Sequence, residues 1–237
     1  MMNILTFYEQ LRNDADALKF SLPVVSVYNP LNYAWNGFEQ YMKFSAGKKR
    51  VIFVGMNPGP YGMAKTGVPF GEINAVKNFL GITNILITKP ENENPAYPVT
   101  GLECSRSEVS GRRLWGLFQA RFGTCEKFFA EHFVLNYCPL LFIGQHGNYT
   151  PDKIKRDESA RLFEICDLCL KNVVEALMPE FVIGIGNFAF KRCQLALKNV
   201  NVNITKILHP SPASPMANHG WSEKVTEQLI TSGVWTS

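Results

Sequence analysis

Four short runs of β-branched and aromatic residues constrain the fold of this 237-residue chain more than any other feature. Each run is ended by Gly, Asn or Pro, a pattern typical of short strands buried in a parallel sheet. The runs are Val51–Val54, Phe133–Leu135, Phe181–Ile185 and Ile204–Leu208. Helical patterns lie between them. Strands that alternate with helices predict a three-layer α/β/α sandwich around a central, mostly parallel four-stranded sheet.

The helical pattern is clearest from Asp157 to Leu177, where apolar residues recur at helical spacing. Thr150-Pro151, ahead of this stretch, predicts an N-cap followed by the first helical residue. Further helices are predicted over Leu5–Phe20, Arg112–Phe122 and Gly186–Leu197.

Composition restricts the class of protein. Hydrophobic residues make up 46% and charged residues 19%, without any low-complexity tract, so we expect an ordered chain with one domain over residues 1–237. The 24 Lys and Arg exceed the 20 Asp and Glu by four, a mild basic excess that is compatible with a polyanionic partner. The sequence shows no membrane span and no signal peptide, and its six Cys are too few for a disulfide scaffold. We therefore expect reduced thiols and an intracellular protein.

The residues that follow the predicted strands are candidates for a ligand site, because ligands of open α/β sheets bind beyond the carboxyl ends of the strands. The first strand runs into GMNPGP (residues 55–60), which contains Asn57; Asn136 ends the second strand, and His209 follows the fourth. Two amides and one imidazole, with no carboxylate nearby except Glu72, favour a neutral hydrogen-bonding ligand such as a nucleobase. Each of these residues alone is more often a turn residue than a ligand. The hypothesis therefore depends on their convergence.

Two segments show neither helical nor strand periodicity. They are residues 88–111 and residues 210–221, and each contains three prolines. Long irregular loops inside compact domains are uncommon and usually functional, so both are candidates for ligand contacts.

Five segments together resemble the single-strand-selective monofunctional uracil-DNA glycosylases. They are Ser21–Trp35 (SLPVVSVYNPLNYAW), Gly55–Glu72 (GMNPGPYGMAKTGVPFGE), Gly101–Gly116 (GLECSRSEVSGRRLWG), Val134–Phe142 (VLNYCPLLF) and His209–Trp221 (HPSPASPMANHGW). They occur in the family's order over nearly the whole chain, whereas one GxNPG motif would indicate only the wider uracil-DNA glycosylase superfamily. The resemblance implies the uracil-DNA glycosylase fold, uracil-containing DNA (single- and double-stranded) as the partner, a monomer, and no cofactor.

The resemblance implies three catalytic contacts. Asn57 matches the Asn that holds the attacking water; a neutral amide can orient water but cannot act as a general base. His209 matches the His that donates a hydrogen bond to O2 of the departing uracil, where negative charge develops. The backbone N–H of Met56 is the second donor by the same resemblance.

Three further residues are implied to select the base. Asn136 matches the Asn that reads the Watson–Crick edge, and Phe70 matches the ring that stacks on the base. Gly59 stands where other superfamily members carry a bulky side chain, so room remains beside C5. Oxidised pyrimidines such as 5-hydroxymethyluracil are therefore expected to enter.

DNA contacts are expected from two places. Ser107, Ser110 and Gly111 precede a predicted helix, whose N-terminus favours phosphate. The segment after His209 matches the family's wedge, which fills the gap left by the extruded nucleotide. Its candidates are Ser211, Pro212, Ala213, Met216 and His219. Ala213 stands where the family often has a larger residue, so Met216 or His219 is expected to do more of the filling.

Other interpretations of the sequence are weaker. Cys166-x-x-Cys169 falls on the apolar stripe of one predicted helix without a second CxxC, so core packing is favoured over a metal site. Three functions compete with the glycosylase: a non-catalytic DNA-binding module of the same fold, a nucleoside hydrolase, and a mismatch-specific thymine/uracil glycosylase. An enzyme of DNA repair is expected in the nucleus of a eukaryote or the cytoplasm of a bacterium.

Overall fold

A computed structural model describes residues 4–236 as seven strands and a set of helices. The strands are β1 (Val24–Tyr28), β2 (Val51–Gly55), β3 (His132–Asn136), β4 (Leu141–Gly144), β5 (Gly147–Tyr149), β6 (Phe181–Ile185) and β7 (Asn203–Ile207). The α-helices are α1 (Ile4–Asp16), α2 (Pro30–Tyr33), α3 (Trp35–Met42), α4 (Met63–Thr66), α5 (Val109–Phe122), α6 (Cys125–Phe129), α7 (Arg156–Leu177), α8 (Asn187–Ala196) and α9 (Trp221–Thr231). Short 3-10 turns cover Lys43–Ser45, Gly101–Glu103, Pro151–Lys153 and Pro215–Asn218, and a π-helical turn covers Ala75–Phe79.

The central sheet has four parallel strands in the order β3-β2-β6-β7. These are the four strands that the sequence predicted, with bounds that differ by one residue at most. Every residue of β2 and β3 is buried, which explains why both read as uninterrupted apolar runs. Gly55, the last residue of β2, is in register with Asn136, the last residue of β3. The carboxyl edge of the sheet therefore places these two strand ends side by side.

Helices cover this sheet and complete the predicted three-layer α/β/α architecture. Helix α1 packs against α7, α7 packs against α8, and α8 lies along β6. Helix α5 packs against α6 and α9. The Cys166 and Cys169 thiols lie in the core between these elements, as the sequence indicated. Within residues 4–236, no helix combines the length and the apolarity needed to cross a bilayer.

A second sheet, which the sequence analysis did not predict, lies outside the parallel one. It is antiparallel, in the order β1-β4-β5, with Tyr28 opposite Leu141 and Phe142 opposite Tyr149. The strands are short, and β5 is only three residues long and partly exposed. Their stability depends on pairing between distant parts of the chain, which local periodicity does not reveal.

Some predicted helix boundaries are wrong. Thr150-Pro151 opens a 3-10 turn and not α7, because Ile154 takes an extended conformation (ψ 142°) that separates the turn from the helix. Helix α1 ends at Asp16, four residues before the predicted Phe20. The Asp16 carboxylate accepts hydrogen bonds from Nδ2 of Asn29 and of Asn32, so this end is fixed by a tertiary contact.

Candidate active site

The carboxyl ends of the parallel strands border a cavity of about 400 Å³. The residues that line it come from five segments of the chain. They are Met56, Asn57, Pro58, Gly59, Pro60, Tyr61, Phe70, Arg106, Ser107, Glu108, Val109, Ser110, Asn136, Asn148, Thr150, His209, Ser211 and Pro212. All six residues predicted to contact water or base are among them, so the convergence on which the sequence hypothesis depended is present.

Gly55 leaves space for two of the side chains that line this cavity. A side chain at this position would overlap Oδ1 of Asn136 and would lie 2.5 Å from the ring of Phe70. The missing side chain therefore lets the Asn136 amide and the Phe70 ring approach each other across the end of β2.

Asn136 presents an unpaired acceptor. Its Nδ2 donates to the Met63 sulfur at 3.2 Å, while Oδ1 is buried with no hydrogen-bond partner in the described chain. Buried polar atoms in folded proteins are nearly always paired, so this oxygen is suited to accept from an N–H of a bound ligand.

Phe70 is held in an unusual backbone conformation. Its φ is +52°, in the left-handed region that non-glycine residues rarely adopt. Its carbonyl accepts hydrogen bonds from Trp115 Nε1 at 3.1 Å and from the Glu72 N–H at 2.7 Å. The sequence analysis predicted that Gly111 contacts DNA, but Gly111 does not line the cavity. It is buried against the Phe70 carbonyl, and a side chain on Gly111 would overlap that carbonyl oxygen. Gly111 thus supports the ring's position.

His209 is a neutral hydrogen-bond donor. The backbone N–H of Ser211 donates to its Nδ1 at 3.1 Å, so in the neutral ring the proton is on Nε2. Burial lowers its pKa from 6.5 to about 4, which keeps the imidazole uncharged at neutral pH. Gly186, at φ +85°, lies against the ring; a side chain there would approach Cδ2 to 3.1 Å. The imidazole is therefore fixed in one tautomer and one orientation.

The amide of Asn57 is oriented by the backbone. Its Nδ2 donates to the carbonyl of Leu140 at 3.1 Å, in the turn between β3 and β4. This bond leaves Oδ1 as the amide's acceptor, the group that can hold a water molecule by accepting one of its protons.

Glu108 corrects the expectation that no carboxylate except Glu72 belongs to the site. Glu108 lines the cavity. Glu72 does not: it is buried, and its oxygens accept from the Ser107 hydroxyl at 2.8 Å and the Ala75 N–H at 2.9 Å. A Glu immediately before a helix is typical of a helix N-terminus, so the sequence alone carried no signal that this side chain points into the cavity.

The other predicted DNA contacts fall into two groups. Ser107, Ser110, Ser211 and Pro212 line the cavity. Ala213, Met216 and His219 lie outside it, exposed on the segment between β7 and α9. Arg106, Asn148 and Thr150 also line the cavity, although the sequence analysis did not single them out. Asn148 and Thr150 come from β5 and the residue after it, in the sheet that was not predicted.

Two observations concern amine and metal chemistry at this cavity. None of its lining residues within 4–236 is a lysine that could form a Schiff base. The nearest candidate by sequence, Lys65, is buried, and its ammonium donates to the carbonyls of Tyr97 and Pro98. Over the same residues, no three His, Cys, Asp or Glu side chains come together as a potential metal site.

Comparison with known proteins places the chain in a family. Residues 42–229 match the Uracil DNA glycosylase superfamily, and the chain belongs to that superfamily. It is 44% identical over 232 residues to the single-strand selective monofunctional uracil-DNA glycosylase of Rattus norvegicus, covering 95% of this chain and 83% of the rat protein. The Bos taurus protein of that name is 43% identical over 229 residues, 95% of this chain and 84% of its own length. Within the superfamily, the chain belongs to the single-strand-selective monofunctional uracil-DNA glycosylases, as its motifs indicated.

A solved structure shares the fold. The crystal structure of Pedobacter heparinus SMUG2 aligns with a TM-score of 0.64 over 98% of this chain and 100% of that chain, at 16% sequence identity.

Proposed function

We propose that this protein is a base-excision repair glycosylase that takes an extruded uracil into the cavity and hydrolyses its N-glycosidic bond. It leaves an abasic site and has no lyase activity. The observation that carries the proposal is that an unpartnered amide acceptor, Asn136 Oδ1, and a neutral imidazole donor, His209 Nε2, border the same cavity of about 400 Å³.

The leaving group receives most of the stabilisation. Cleavage leaves negative charge on uracil, largely at O2. A hydrogen-bond donor fixed beside O2 therefore stabilises the transition state more than the ground state. His209 supplies such a donor without itself carrying a charge, since burial keeps it neutral. The Met56 N–H, at the end of β2, is the second donor.

The attacking water is held and not deprotonated in advance. Asn57 has no basic group, so it contributes orientation through Oδ1 while its Nδ2 stays on the Leu140 carbonyl. The developing oxocarbenium character of the sugar makes a neutral water a sufficient nucleophile.

Selection of uracil over cytosine follows from the Asn136 amide. Its Oδ1 accepts from N3–H of uracil and its Nδ2 can donate to O4. Cytosine presents an acceptor at N3 and a donor at C4, so buried groups would be left unpaired. The Phe70 ring, close to this amide, stacks on the face of the base.

The proposal extends to uracils with an oxidised C5 substituent and to both single- and double-stranded DNA. Gly59 itself adds no side chain on the C5 side of the base, where the Glu108 carboxyl group lies against it. Extrusion costs a few kcal/mol in a duplex and least for an unpaired base, which supports activity on single strands. For a repair enzyme we expect the compartment that holds the genome, which is the nucleus of a eukaryote or the cytoplasm of a bacterium.

The test is single-turnover cleavage of end-labelled oligonucleotides that contain one uracil, in single-stranded and duplex form, with and without alkali. We expect uracil release on both forms, with strand breaks only after alkali. His209→Ala should lower the rate on the order of 10²–10³-fold. His146→Ala, an exposed histidine outside the cavity, is the matched control and should retain the wild-type rate.

The same experiment separates the competing functions. DNA binding without base release would identify a non-catalytic module. Release of uracil only from duplexes with guanine opposite the uracil would identify a mismatch-specific enzyme. Cleavage of free uridine as rapid as that of DNA would identify a nucleoside hydrolase.

A further inference from the structure

Glu108 lines the cavity, yet the mechanism above leaves it without a role. It directly precedes α5, but its side chain makes no capping hydrogen bond to the helix. The carboxyl group lies instead against Gly59 and Gly62, where a side chain on either glycine would overlap it. Its Oε2 is buried and has no hydrogen-bond partner in the described chain. Such an oxygen destabilises the fold, which points to a ligand as its intended partner.

The charged neighbours of Glu108 do not neutralise it. Within residues 4–236 it forms no ion pair. The Arg106 guanidinium lies over the Tyr61 ring, 3.9 Å from its centroid, and the Glu72 carboxylate is satisfied by Ser107 and Ala75. Burial, and then the negative charge of Glu72, raise the pKa of Glu108 from 4.5 to about 7. Near neutral pH the carboxyl group is thus available both as a donor and as an acceptor.

The proposed contacts of the other edges of a bound base indicate which edge would face Glu108. N1 carries the sugar and faces the mouth. O2 faces His209, and the N3–O4 edge faces Asn136. The C5–C6 edge remains. Several lining residues after β2 and before α5 have not been assigned to another edge: Pro58, Gly59, Pro60, Tyr61, Arg106, Ser107 and Glu108. Glu108 stands out among them because it has a buried, unpaired oxygen and its carboxyl group lies against Gly59.

We propose that Glu108 is a specificity-determining residue that reads the C5 substituent of the base: it hydrogen-bonds a hydroxyl group carried on C5 and disfavours a methyl group there. The inference rests on the proposed glycosylase function and identifies the residue that sets its substrate preference. Gly59 and Gly62 are required because they give the carboxyl group its space. A hydroxymethyl substituent pairs with the buried carboxyl group. The methyl group of thymine covers it without offering a hydrogen bond.

The test compares oligonucleotides that carry 5-hydroxymethyluracil or 5-ethyluracil, two substituents of similar size of which only one has a hydroxyl group. Single-turnover rates are measured for wild type, Glu108→Gln and Glu108→Ala, with uracil as the reference base. We expect wild type to release 5-hydroxymethyluracil about tenfold faster than 5-ethyluracil. This preference should be lost in Glu108→Ala and largely retained in Glu108→Gln, whose amide also donates and accepts. The two bases also differ intrinsically as leaving groups, but this difference is the same in every variant. It cancels when the ratio of the two rates in wild type is divided by the same ratio in a variant.

The control variant is Glu103→Gln, an exposed glutamate in the same irregular segment, which should leave the preference unchanged. An equal preference in wild type and both Glu108 variants would overturn the inference, and so would an equal loss of activity on all three bases. If Glu108→Ala does not fold, Glu108→Met, which has a side chain of similar length without a hydrogen-bonding carboxyl group, takes its place and should likewise lose the preference. Failure of wild type to release uracil would instead refute the proposed function.

Discussion

At the scale of single residues, the site is marked by polar atoms that folding leaves unpaired. Among residues 4–236, three side-chain atoms are buried without a partner: Glu108 Oε2, Asn136 Oδ1 and His132 Nδ1. Two of them line the same cavity. Asn136 was predictable from its place at a strand end, whereas Glu108 was not, because nothing in its sequence context distinguishes it from an ordinary helix-flanking glutamate.

The tautomer and charge of His209 lead to a prediction that does not depend on turnover. Because burial lowers its pKa to about 4 and Ser211 occupies Nδ1, the ring should stay neutral between pH 5.5 and 8. NMR titration of the ring protons, assigned by comparison with His209→Gln, measures this directly. A transition centred near 6.5 would show that the imidazole is solvated in the free enzyme, and would contradict the neutral-donor mechanism.

At the scale of elements, the segment between β7 and α9 is anchored by α5. Arg113 donates from Nη1 to the Pro210 carbonyl at 2.7 Å and from Nη2 to Asn218 Oδ1 at 3.3 Å. Ala217 is buried, while the neighbouring Met216 is 64% exposed. A rigid segment that presents one large apolar side chain is suited to occupy the gap left in a base stack. Ala213 is too short for this, although it follows the His-Pro-Ser-Pro motif.

Met216→Ala should therefore affect duplex DNA selectively. We expect uracil release from duplex DNA to fall about tenfold, because the wedge offsets part of the few kcal/mol that base extrusion costs. Release from single strands, which need no wedge, should change by less than about twofold. Leu195→Ala, an exposed leucine on α8, is the matched control. A parallel decline on both substrates would show that Met216 does not act as a wedge.

At the scale of the whole molecule, buried histidines couple stability to pH. His132 lies in an aromatic cluster, where Trp235 Nε1 donates to its Nε2 at 3.1 Å and burial lowers its pKa from 6.5 to about 4. The unfolded chain therefore binds a proton more readily than the folded one. The stabilisation is complete above pH 6.5 and is lost as the pH falls towards 4, by up to about 3 kcal/mol per histidine. Glu108 acts in the opposite direction, since its pKa is raised on folding.

The contribution of His132 can be isolated with His132→Gln, which keeps an acceptor for Trp235. Free energies of unfolding from denaturant titrations at pH 4 to 8 give the difference between wild type and variant, in which the effects of Glu108 and His209 cancel. We expect wild type to lose its advantage as the pH falls from 6.5 to 4. A difference independent of pH would show that His132 binds a proton as readily in the folded state as in the unfolded state, and would contradict the lowered pKa.

The sequence by itself determined the four parallel strands, because strands buried on both faces are apolar throughout, and local composition reports burial. It also located Asn57, Asn136 and His209, since the carboxyl ends of parallel strands share one edge and polar residues at those ends must meet. Only the tertiary structure revealed that β1, β4 and β5 form an antiparallel sheet, that Gly111 packs against the Phe70 carbonyl, and that Glu108 lines the cavity. Each of these depends on contacts between segments far apart in the chain, and such contacts leave no periodic or local pattern in the residues that make them.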